Sequence, residues 1–84
     1  MTFSTFCESP GRVLDALRIG TVIDLTRHDR VIARVTGVSS AEGNVWTVVQ
    51  CMERAKLRRA LREVGRVVVS RDGLVEAVIE GVSS

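Results

Sequence analysis

Residues Ala60–Ser84, ALREVGRVVVSRDGLVEAVIEGVSS, restate Ala16–Ser40, ALRIGTVIDLTRHDRVIARVTGVSS, at a shift of 44 residues without a gap. Ten of the 25 aligned positions are identical, where average composition gives roughly two by chance. The identities are Ala16/Ala60, Leu17/Leu61, Arg18/Arg62, Arg27/Arg71, Val31/Val75, Ala33/Ala77, Gly37/Gly81, Val38/Val82, Ser39/Ser83 and Ser40/Ser84. Ile23/Val67, Leu25/Val69, Thr26/Ser70 and Val35/Ile79 change residue but keep the chemistry. The same shift sets Cys7 on Cys51 and Arg12 on Lys56. A tandem repeat predicts one small motif used twice about a pseudo-twofold axis. Duplex DNA is the commonest partner with a matching symmetry.

Outward from the repeat, each half reads β-α-β-β. In the first half (1–40), Thr2–Cys7 is β-prone. Ser9-Pro10 then reads as a helix start, Ser at N-cap and Pro at N1. Val13, Ala16 and Leu17 fall at helical spacing, and Gly20 stops the helix. Val22–Arg27 and Val31–Val38 read as a hairpin about His28-Asp29, with Val31, Ala33 and Val35 on one face. Ser39–Asn44 is a polar loop joining the halves. In the second half (45–84), Val45–Cys51 reads as a strand. A helix from Glu53 to Val64 carries Leu57, Ala60, Leu61 and Val64 at i, i+3, i+4 and i+7, and Gly65 ends it. Arg66–Arg71 and Leu74–Glu80 flank Asp72-Gly73, the strongest hairpin signal in the chain. There Val75, Ala77 and Ile79 are expected inward, Glu76 and Glu80 outward. The fold class predicted is α+β, a single domain over 1–84 whose two repeats form a pseudo-twofold antiparallel sheet with helices packed on it.

A chain of 84 residues buries only about 60% of its unfolded surface. Either the halves share one core or the chain forms a homodimer. No apolar run is long enough to span a membrane. The N-terminus shows no basic region followed by an apolar stretch, so a cytoplasmic protein is expected. The two cysteines are expected as reduced strand residues, and no CxxC or Cys/His cluster suggests a metal or other cofactor.

The net charge of +2 is unevenly placed. Glu53–Arg66 holds six basic residues (Arg54, Lys56, Arg58, Arg59, Arg62, Arg66) against Glu53 and Glu63. The remainder holds six basic and eight acidic residues. Arg54, Arg58 and Arg62 share a helix face at i, i+4 and i+8, which Lys56 and Arg59 widen. Such a stripe faces either a polyanion or solvent. Trp46 is expected in the core and His28, the only histidine, in an exposed turn. Nothing in the sequence resembles a nucleophile elbow, a carboxylate pair or a phosphate loop, so no enzyme activity is expected.

Each half also resembles the N-terminal domain of the Phd/YefM antitoxins. The residues that carry the likeness are Val13-Leu14-Asp15-Ala16-Leu17, Gly20 and Thr26–Val35 in the first half. In the second they are Met52–Leu57, Gly65 and Ser70–Ile79. The family pattern is a strand, an amphipathic helix ending in Gly, a strand ending in Thr-Arg, a turn and a further strand. The resemblance implies a DNA-binding transcriptional regulator or repressor, of phage or mobile-element origin. In the family, the arginine at the helix start and the arginine of Thr-Arg contact DNA. The first carries over to Arg54, while Pro10 stands in the first half, so that role passes to Arg12 or is lost. The second carries over to Arg27 and Arg71. Arg58, Arg59, Arg62 and Lys56 are expected to add phosphate attraction. The helix is shorter than usual for the family, and Glu8-Ser9-Pro10-Gly11 replaces its Ser-Glu-Ala-Arg start. A second β-α-β-β unit stands where the toxin-neutralising tail is expected. Two rivals stay open: Arg27 and Arg71 pairing with Asp29 and Asp72, and a protein-interaction module that binds an enzyme or other protein.

Overall fold

A computed structural model describes residues 1–82. The identities Ser39/Ser83 and Ser40/Ser84 fall partly outside the described residues. The elements are α1 (Phe3–Glu8), α2 (Pro10–Ala16), β1 (Val22–Arg27), β2 (Arg30–Gly37), β3 (Val45–Thr47), α3 (Arg54–Glu63), β4 (Arg66–Arg71) and β5 (Leu74–Gly81). They form an α+β domain with one five-stranded sheet in the order β1-β2-β5-β4-β3.

Both hairpins form where the sequence places them. His28 (φ 52°) and Asp29 (φ 61°), and Asp72 (φ 53°) and Gly73 (φ 80°), give two-residue turns with positive φ at both centres. That is the turn whose twist matches the flanking strands. Each hairpin carries a register irregularity at the same repeat position, Leu25/Thr26 and Val69/Ser70. This irregularity corrects the expected alternation. Val31 and Val75 stay outside the core cluster, Ile32 packs against it, and Glu76 is half-buried rather than outward.

The hairpins join through β2 and β5. Ala33 pairs with Gly81, Arg34 with Glu80, Val35 with Ile79, Thr36 with Val78 and Gly37 with Ala77. Adding 44 to each β2 number turns the first pair into the last and leaves Val35/Ile79 in place. One core serves both halves, with Phe6, Leu25 and Val35 from the first and Leu57, Val69 and Ile79 from the second fully buried. Trp46 and Val48 pack against it.

Three expectations are corrected. The sheet is mixed, because β3 runs parallel to β4. Helix α3 intervenes between them, and such a crossover returns the chain in the same direction. Thr2–Cys7 is helix rather than strand: Phe3, Phe6 and Cys7, at i, i+3 and i+4, are all buried, and the Thr2 hydroxyl accepts from the Thr5 amide at 3.1 Å. Helical burial and a cap outweigh the β propensity of Thr and Phe. Only Thr2 keeps a sheet contact, a parallel bridge to Thr26. Val45–Cys51 is strand only to Thr47. The Thr47 amide donates to Gln50 Oε1 (2.8 Å) and the Gln50 amide to Thr47 Oγ1 (3.2 Å), winding Gln50–Met52 into a 3-10 turn. Cys7 and Cys51 are free and buried, one on α1 and the other in this turn. Pro10 opens α2 as expected, but the Ser9 side chain makes no cap hydrogen bond.

Gly37 and Gly81 are identical for a packing reason. A Cβ on Gly37 would lie 2.2 Å from the Arg18 carbonyl oxygen, and one on Gly81 2.9 Å from that of Leu61. At both positions the chain leaving a helix lies directly on a strand.

The connection from β2 to β3 passes β5 and β4 on the face away from the helices. Val38 donates to the Glu76 carbonyl (3.1 Å), Arg66 Nη1 donates to the Glu42 carbonyl (2.8 Å), and Gly43 lies against Val68. Val68 and Val78, cross-strand partners on this face, are 0% and 3% exposed. The repeat-equivalent partners are Asp24 and Arg34, an ion pair at 3.0 Å, each side chain 52% exposed. Among the described residues no helix is long and apolar enough to cross a membrane.

Candidate nucleic-acid interface

Helix α3 buries Leu57 and Leu61 and turns its basic residues outward. They divide by partner. Lys56 pairs with Glu53 (3.3 Å) and Arg59 with Glu63 (3.7 Å), one turn apart on exposed helix surface. Exposed pairs of this kind stabilise by about 0.3–0.5 kcal/mol and locally cancel charge. Arg54, Arg58 and Arg62 form no ion pair among the described residues. Arg54 Nη1 donates to Ser4 Oγ at 2.9 Å, which fixes the helix start against α1.

The β1–β2 turn brings Arg27 and His28 to this helix. A cleft of about 430 Å³ is walled by Phe3 and Ser4 of α1, Thr26, Arg27 and His28 of the hairpin, and Arg54, Ala55 and Arg58 of α3. No carboxylate lines it. Arg58 also borders a neighbouring depression with Ile32, Leu61 and Arg62. Arg27, Arg54, Arg58 and Arg62 thus form one continuous cationic face. It is built from the hairpin of the first half and the helix of the second.

Arg71, the repeat twin of Arg27, has a different setting. Its Nη2 donates to Glu76 Oε1 at 2.8 Å, and its Nη1 donates to Asp15 Oδ1 and, at 3.4 Å, to the Gly11 carbonyl. The hydrogen bonds to Asp15 and then Glu76 raise the guanidinium pKa above its ordinary value. Its side chain is only 34% exposed. The repeat shift explains the contrast: Ile32 stands at the place of Glu76, and Arg59 at that of Asp15. The rival pairing of Arg27 with Asp29 and of Arg71 with Asp72 does not form among the described residues.

Arg12 lies on α2 beside Thr5, Glu8 and Ile23, away from the cationic cleft. Of the expected residues, the structure therefore groups Arg27, Arg54, Arg58 and Arg62. It sets Lys56 and Arg59 beside acids on the same helix, ties Arg71 to carboxylates and leaves Arg12 apart. Ser4 and His28 join the cleft without having been singled out. Adjacency to Arg27 could have flagged His28, whereas Ser4 was hidden in a segment read as a strand.

The cysteines are chemically quiet. Burial pushes the Cys7 thiol up to about 11, partly offset by Arg54, and burial together with Cys7 pushes Cys51 up to about 12. The thiolate is the reactive form, so both resist modification at neutral pH.

No family model, no curated protein and no solved structure matches the chain.

Proposed function

We propose that the chain is a cytoplasmic, duplex-DNA-binding regulator, organised as a single-chain pseudo-dimer of the Phd/YefM type. The β2–β5 register that the 44-residue shift maps onto itself supports the pseudo-twofold organisation. The observation that carries the function is the cationic face Arg27–Arg54–Arg58–Arg62, unneutralised by any ion pair among the described residues. Guanidinium groups present planar forks matched to phosphate oxygens and to guanine O6 and N7. In this reading Arg71 acts structurally, holding α2 against the second hairpin.

Neutralising about four phosphates gives a slope of log K against log salt of roughly −3.6. A polarisation titration of labelled duplex between 50 and 200 mM salt therefore expects affinity to fall on the order of 100-fold. Absence of salt-sensitive retention at micromolar protein would sink the reading.

A protein partner is the second reading. It rests on the outer edge of β3, the last strand in the sheet, where Val45, Val49 and Met52 are exposed. An open edge with exposed apolar side chains can accept another chain. A stoichiometric protein complex with no excess absorbance at 260 nm would favour it.

A further inference from the structure

We infer that the cleft between α1, the β1–β2 turn and α3 takes a phosphomonoester, specifically the 5′-terminal phosphate of a DNA strand. The inference rests on the duplex reading only for the source of that phosphate. Arg27, Arg54 and Arg58 line one concavity together with His28 and Ser4, and no carboxylate residue lines it. An internal phosphodiester brings one negative charge, whereas a terminal phosphate carries about 1.5–2 at pH 7 and three acceptor oxygens. The denser charge suits three cations better.

The cleft is lined by α1, the turn and α3, and Arg58 also borders the depression beside Arg62. A strand leaving along Arg58 would meet Arg62 next. Phe3, the one phenyl ring in the lining, is 2% exposed and offers a base no platform. Recognition there is of the phosphate rather than of the nucleobase. The repeat-equivalent place on the second hairpin cannot do this, because Asp15 and Glu76 already occupy the Arg71 fork.

The test compares one blunt duplex carrying 5′-phosphate with the same duplex carrying 5′-hydroxyl, by polarisation at fixed salt. The phosphorylated duplex is expected to bind about tenfold tighter. Arg27→Gln and Arg58→Gln are each expected to abolish that preference, and Lys56→Gln, outside the cleft, to keep it. Equal affinity for the two duplexes overturns the inference while leaving the duplex reading intact. A preference untouched by both cleft variants also overturns it. Competition with a nucleoside 5′-monophosphate separates the sources. Full displacement by the mononucleotide, with no binding of the hydroxyl duplex, supports the monoester site and overturns the duplex reading instead. Circular dichroism of each variant confirms that the fold is retained.

Discussion

Arg27 and Arg71 occupy equivalent places in two hairpins of the same design, yet their surroundings differ in charge. Arg71 is clamped by Asp15 and Glu76. Arg27, with His28 beside it on the turn, lines an open cleft shared with Arg54 and Arg58 of α3. Glu76 belongs to the same hairpin as Arg71, but the other deciding residues come from the other half of the chain: α2 supplies Asp15 to the second hairpin, and α3 supplies Arg54 and Arg58 to the first. The outer face of the sheet repeats the lesson. Val68 and Val78 lie buried beneath the β2–β3 connection, while Asp24 and Arg34, their equivalents, form an exposed ion pair. A single chain has only one connection between its halves, so only one half gains that cover. The two hairpins match in turn and register, and asymmetric packing makes their surfaces unequal.

The largest expected effect breaks the covered face. Val68→Asp would bury an uncompensated charge and cost about 3–5 kcal/mol, enough to unfold much of a small domain. Asp24→Val, at the equivalent open position, should change stability by under ~1 kcal/mol. Urea titrations of both variants check this, and comparable losses would refute the assigned cover.

Next come the paired glycines. Gly37→Ala meets the Arg18 carbonyl more closely than Gly81→Ala meets that of Leu61 (2.2 against 2.9 Å). Overpacking predicts about 3 kcal/mol for the first and about 1–2 for the second. Thermal melts giving the reverse order would show that the first half relaxes more easily than its geometry suggests.

The arginines sharpen the comparison at the level of function. Arg27→Ala should leave the melting temperature unchanged and weaken duplex binding about tenfold, or ~1.4 kcal/mol. Arg71→Ala should lower the melting temperature, since it strands Glu76, whose Oε2 is already buried without a partner. Duplex affinity of that variant should move by less than about threefold. Equal losses of binding in the two variants would restore the functional symmetry that the structure argues against. A smaller gain is expected from copying one half into the other. Glu76→Ile with Asp15→Arg frees Arg71 and should steepen the salt slope by roughly one unit, as one more phosphate contact does.

The cysteines give the subtlest effect, absent at neutral pH. Their ordinary pKa is 9.0, and the fold raises Cys7 to about 11 and Cys51 to about 12. Below pH 9 both states keep the proton and nothing changes. Above it the unfolded chain ionises first, so stability falls from about pH 9 through the folded values. Thermal melts across that window should show a shallower decline for Cys7→Ala and Cys51→Ala than for the parent.

Both hairpins, their turns, α3 and its Gly65 stop were legible because they rest on local signals, whereas α2 ends at Ala16 with Leu17 extended, before the expected stop at Gly20. Asp72-Gly73 and His28-Asp29 tolerate positive φ, and Leu57 and Leu61 recur at helical spacing. The first segment misled because Thr and Phe favour strands in isolation. Its i, i+3, i+4 apolar spacing was the contrary signal, and burial against the sheet made that spacing count. The parallel β3 and the inward Glu76 escaped notice, since a crossover and a register irregularity alter direction and facing without a residue signature. Of the candidate site, the i, i+4, i+8 row Arg54–Arg58–Arg62 could be read directly. The approach of Arg27 and His28 to it could not, because they lie on the other repeat.

The sequence by itself determined that one stretch recurs at a shift of 44 residues, with two hairpins, a basic helix and an arginine before each turn. Those features depend on residues close in the chain, where backbone preference and periodicity act. Only the tertiary structure decided which arginine stands free. That outcome depends on which carboxylates and cations come within a few ångströms: Asp15 reaches Arg71 from a helix 56 residues away, and α3 of the second half brings Arg54 and Arg58 to the cleft beside Arg27.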